Sequence, residues 1–139
     1  MTLLADLAVP SRPLPRDEGG RLLLASLRKM RWNGVEDAAL AQRFVTLFGR
    51  DFRRVLFVTR MLAEQLNEAP SVKFGTCRRT RMTESEAMLI AIAARLPGNV
   101  PAARLLLADL LGTRAIDAML AALFAVSEAF AAMGKPIGG

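Results

Sequence analysis

Histidine and tyrosine are absent from this 139-residue chain, and cysteine and tryptophan occur once each. Without histidine there is no imidazole to move protons near neutral pH, and the usual His-bearing zinc sites are excluded. The Glu-x-x-His pattern of di-metal helical bundles is excluded for the same reason. A single cysteine, Cys77, cannot close an intrachain disulfide; this fits a reducing compartment, and a cytoplasmic location is expected. Gly19-Gly20 lacks the Gly-Lys-Ser/Thr continuation of a phosphate-cradling loop. Glu84 and Glu86 are two residues apart and diverge on a helix; helix capping and the helix dipole account for both. No catalytic set, metal site or cofactor is expected, and the chain reads as non-enzymatic.

Long uninterrupted apolar runs are also missing. The last helical segment approaches the ~20 residues of a membrane span, but Asp117 and Glu128 sit inside it and each is costly in lipid. Both are expected on its solvent side, paired with Arg114 or other arginines. The opening MTLLADLAVPSRPLPRD has no basic start, is broken by Asp6, and continues into Pro10, Pro13 and Pro15, unlike a secretory signal. It reads as a flexible arm over residues 1–16, with Leu3, Leu4 and Leu7 spaced to dock on the body. The closing residues 135–139, at the end of the run GKPIGG, read as a flexible tail.

What is present divides unevenly. Residues 1–81 carry 15 basic and 8 acidic side chains, whereas residues 82–139 carry 4 and 5. Arginine outnumbers lysine 16 to 3, which with abundant Ala, Leu and Gly reflects GC-rich codons as much as function. Thr83–Met133 is rich in alanine and leucine and holds only eight charged residues. Such a segment must be covered by its own chain, by a partner copy or by lipid.

Helix signals recur along the chain. Asp17 caps a first helix to about Arg31, with Leu23, Leu27 and Met30 on one face and Arg21, Arg28 and Lys29 mostly on others. Gly19 and Gly20 weaken its first turn, and Asn33-Gly34 stops it. A second helix runs from about Glu36 to Phe48, and Asp51 caps a third over 52–67 with Phe52, Val55, Leu56, Thr59, Leu62, Ala63 and Leu66 inward. Residues 69–82 show no helical period, and an extended piece is expected at Val72–Thr76 within an otherwise mobile loop. Thr83 with Glu86 forms a capping box for a fourth helix to about Leu96, apolar on every face and therefore central. Asn99 with Pro101 opens a fifth, Gly112 closes it, and Thr113 caps a sixth that ends near Met133.

Three features invite functional readings. Lys73, Arg78, Arg79 and Arg81, with Phe74 beside them, are candidates for an anion or nucleic-acid backbone. Cys77, flanked by Arg78 and Arg79, is a candidate redox thiol, since nearby cations favour thiolate. Ala118, Ala122, Ala125 and Ala129 repeat at spacings that let two helices approach closely, a candidate dimer seam. A helix-turn-helix on the fourth and fifth helices fails because the latter offers only Arg104 and Asp109; one on the second and third has Arg50, Arg53, Arg54 and Arg60, interrupted by Phe57 and Met61.

The sequence thus predicts one all-α bundle of five or six helices over residues 17–134, with a buried central helix near 84–96. The expected function is protein–protein interaction or regulation, as a homodimer and with a further, unidentified protein. The alternative is a small nucleic-acid-binding regulator using the basic half and the 73–81 loop.

Overall fold

A computed structural model describes residues 11–138. It is an all-α bundle of six helices with one small sheet: β1 (Ser11–Pro13), α1 (Glu18–Asn33), α2 (Ala38–Phe48), a 3-10 turn (Gly49–Asp51), α3 (Phe52–Asn67), β2 (Arg81–Thr83), α4 (Glu84–Arg95), α5 (Val100–Leu111) and α6 (Asp117–Ala132). The proposed docking of Leu3, Leu4 and Leu7 lies outside the described residues.

Most helix starts follow local chemistry. The Asp17 carboxylate accepts from the Gly20 N–H at 2.7 Å, and Asp37 accepts from Leu40 at 2.8 Å. That hydrogen bond from Leu40 holds the Asp37 carboxyl below its ordinary range against an opposing desolvation, helped by Asn33 and Lys29. Thr83 and Glu86 make a full capping box at the head of α4, and Asn99 caps α5 with Pro101 in its first turn. Two expected caps fail. Asp51 makes no side-chain cap, because Gly49–Asp51 coils into a 3-10 turn that feeds α3 directly. The Thr113 hydroxyl accepts from Ala115 within its own turn, so α6 starts only at Asp117.

α4 is central: it packs against α5, α6, α1 and β2, and Leu89, Ile90, Ile92 and Ala93 are buried. α3 and α6 form the most extensive helix pair and run antiparallel. The Gln65 side chain reaches the Ala118 carbonyl at one end, while Val55 meets Ala129 and Ala132 around a small hollow at the other. Phe44, Phe48 and Phe130 join α2 to α6 through ring centroids 5.3 and 5.8 Å apart. Buried hydroxyls are satisfied; Ser127 donates to the Ala93 carbonyl across the α4–α6 contact at 3.0 Å. No described helix is long and apolar enough to cross a membrane.

Both chain ends of the described region depart from the expected arm and tail. Residues 11–13 pair antiparallel with 81–83, Ser11 opposite Thr83 and Pro13 opposite Arg81. The extended piece therefore lies at the end of the 69–82 segment, not at Val72–Thr76. The C-terminal residues pack on the start of α1: Ile137 is buried, Lys135 pairs with Glu18 at 2.7 Å, and the Gly138 N–H donates to Asp17 at 3.1 Å. Gly19 belongs to this contact. A β-carbon there would run into the backbone carbonyls of Lys135 and Pro136. Its glycine therefore serves a close backbone approach and is more than a weak first turn. Gly19→Ala is expected to cost about 1–3 kcal/mol, the usual penalty of overpacking, as read by urea unfolding. A variant as stable as the parent would show that residues 135–138 do not hold this position in solution.

Candidate functional site

The first helix reads LLLASLRKM over 22–30, and of its two adjacent charges Arg28 is the buried one and needs a partner. Arg28 is 4 % exposed and Glu86 is fully buried. Their side chains meet in a two-pronged ion pair, Nε to Oε2 at 2.7 Å and Nη2 to Oε1 at 2.8 Å. The remaining guanidinium donors reach the carbonyls of Arg79 at 2.8 Å and Arg81 at 2.9 Å. The carboxylate in turn accepts from the backbone N–H of Gly75 at 3.1 Å and of Thr83 at 2.7 Å. Burial pushes the Glu86 carboxyl up, but the Arg28 hydrogen bonds and charge and the two backbone donors outweigh it, so it sits below the ordinary carboxylate range.

This pair is a structural latch. It fastens α1 and α4 to the irregular segment between α3 and β2. That segment was expected to be mobile; instead Val72 and Met82 are buried, and the Trp32 indole N–H donates to the Gly75 carbonyl at 2.9 Å. Arg28 was expected on a wet face and Glu86 as a cap alone. Both expectations miss the same thing, a contact between residues 58 apart in the chain.

The latch also builds a cleft of about 640 Å³. One wall is formed by residues of α1 and α2, and the other by Leu14-Pro15 with Cys77 and Arg79. Leu24, Ala25, Ala39 and Leu40 supply an apolar floor. Arg21, Lys29, Arg43 and Arg79 surround it, together with the neutralised Arg28. Among the described residues none of those four has a carboxylate within ion-pairing distance; the ion pairs found are Arg28–Glu86, Arg104–Asp117 and Lys135–Glu18. Arg21 donates to the Pro15 carbonyl and Arg79 to that of Arg81 through their guanidinium Nε atoms, while Lys29 acts through its charge on nearby Asp37.

The proposed site residues are thereby sorted. Arg79 and Cys77 come together at the cleft, with Cys77 exposed. Lys73 and Arg78 are exposed and do not line it, and Arg81 contributes its carbonyl to the latch. In the proposed dimer seam Ala118 is exposed and Ala125 half-buried, but Ala122 and Ala129 are buried within their own chain. α3 packs along the same helix, with the Gln65 side chain at the Ala118 carbonyl and Val55 beside Ala129. Asp117 is exposed and pairs with Arg104 at 2.9 Å, and Glu128 is exposed. On α3, Arg60 is drawn to the Val35 carbonyl at 2.8 Å, which removes it from the basic face that a helix-turn-helix would need.

Arg21, Lys29 and Arg43 were not singled out from sequence as a site. The available signal was their helical register: Arg21, Ala25, Arg28, Lys29 and Trp32 share one face of α1. No protein-family model matches the chain, and no curated protein or solved structure shows significant similarity to it.

Proposed function

We propose that this chain is a non-enzymatic interaction protein that captures an acidic segment of a partner in the cleft between α1, α2 and the latched 75–79 turn. The observation that carries this reading is the set of four cations around an apolar floor, none of them in a direct ion pair among the described residues. Unpaired like charges held together repel one another and invite an anionic ligand. The floor favours a partner that also brings an apolar side chain. The described lining offers cations, one thiol and apolar side chains.

The test is affinity capture with photo-crosslinking from the native host, using the parent chain and Arg43→Glu in parallel. Arg43 is exposed, so reversal leaves the core intact. A partner crosslinked at the cleft through an acidic segment, and lost with Arg43→Glu, is the expected result. A partner retained equally by both and crosslinked elsewhere overturns the reading. A second reading, single-stranded nucleic acid, is favoured by Trp32, a residue 56 % exposed one turn beyond Arg28 and Lys29 on α1 and suited to base stacking. It predicts oligonucleotide binding that weakens steeply with salt, measured by titration across a salt series.

A further inference from the structure

The cleft has a direction and a spacing. Along α1 it runs from Arg21 to Lys29, and Trp32 is the next residue on the same face. At 1.5 Å per residue this path is about 16 Å long, close to three helical turns. Its cations sit at two levels. Arg21 and Arg43 share one end, where both also border a smaller hollow. Lys29 marks the other on α1, and the Arg79 side chain, packed over Gly75 beside the Arg28 guanidinium, lines the opposite wall. The levels are separated by about 10–12 Å of α1, with Leu24 and Ala25 between them.

From this spacing we infer that the occupant is an acidic amphipathic helix of a partner protein, lying along α1. The inference rests on the capture reading above and specifies its ligand. Carboxylates at i and i+7 of a helix are about 10.5 Å apart and lie on one face, which matches the two cation levels. An apolar residue at i+4 then faces the floor, and another at i+11 covers the exposed Trp32 ring. An extended segment fits less well. Its same-face residues recur about every 6.6 Å, so its anions fall near 6.6 or 13 Å. It would also seek a sheet edge, and the wall at Leu14-Pro15 includes a proline with no N–H to donate.

The experiment exploits the single tryptophan. Trp32 is the only indole in the chain and there is no tyrosine, so emission from a tyrosine- and tryptophan-free peptide mixture reports Trp32 alone. The probe is a synthetic helical peptide with Glu at i and i+7 and Leu at i+4 and i+11. Binding is read by Trp32 emission and independently by calorimetry. The expected result is saturable binding that weakens roughly tenfold or more when both glutamates become glutamine, or when the protein carries Arg21→Gln with Arg43→Gln. Circular dichroism confirms that this double variant remains folded. A scrambled peptide of the same composition should also bind roughly tenfold more weakly. Equal binding of the scrambled peptide overturns the inference, as does the absence of binding by both readouts. Tighter binding of a single-stranded oligonucleotide that the peptide cannot displace overturns it in favour of nucleic acid. If the peptides fail while native-partner capture still depends on Arg43, the helical ligand is wrong and the capture reading stands.

Discussion

Glu86→Gln is expected to destabilise the protein by about 3–5 kcal/mol, because it leaves the Arg28 charge buried without its counter-ion. The damage should spread through the latch. Arg28 holds the Arg79 and Arg81 carbonyls, and Glu86 holds the Gly75 and Thr83 amides, so one substitution loosens four backbone anchors. Trypsin should then cut after Arg78 or Arg79 faster than in the parent, and amide exchange at Gly75 and Thr83 should accelerate. An apolar replacement of both partners, Arg28→Met with Glu86→Leu, should recover less than half of the loss. Removing a simple buried ion pair is often neutral, but here four backbone groups would lose their side-chain partners. Full recovery by the double variant would show that the latch has no role beyond its own charges.

The same group sets a pH dependence. The folded Glu86 carboxyl lies below its ordinary value of 4.5. Its contribution is therefore complete above that value and is lost as pH falls through the lowered folded pKa. Since glutamine mimics the protonated acid, the stability gap between parent and Glu86→Gln should be widest near neutrality and shrink below about pH 4.5. A gap that stays constant to pH 3 in denaturant titrations would mean that Glu86 titrates normally.

Core truncation in α4 should cost a comparable amount. Leu89 is 1 % exposed and Ile92 is fully buried, and α4 meets α1, α5 and α6. Leu89→Ala or Ile92→Ala removes methyl and methylene groups from a site whose neighbours are fixed on several sides, so a cavity remains. The expected loss is about 2–5 kcal/mol for each, measured by chemical denaturation. Unchanged midpoints for both would place α4 at the periphery. Unlike Glu86→Gln, neither substitution should selectively open the 75–83 segment, because neither touches its hydrogen bonds. The two kinds of variant thus separate loss of the core from loss of the cleft wall.

What the sequence determined by itself is the helical order and most of its punctuation. Asp17, Thr83 with Glu86, Asn99 with Pro101, Gly112 and Gly134 act within one turn of chain, so their effect is legible without a partner. The central place of α4 was equally legible, since a helix apolar on every side has no wet orientation. Asp51 and Thr113 mislead because a good capping residue type does not guarantee capping geometry; neighbouring turns decide whether its oxygen faces free amides. The tertiary structure alone decided which faces met. The alanine stripe of α6 encodes a capacity for close packing but not its partner, and within this chain Ala122 and Ala129 are the two that are buried. Arg28 looks like a surface charge until Glu86 arrives from 58 residues away. The cleft depends on the same distant pairing, because Arg79 and Cys77 stand opposite α1 only while the latch holds their segment. Periodicity records how a residue relates to its own helix, whereas the pairing of faces, the burial of a charge and the shape of a cleft depend on contacts between segments that no local period encodes.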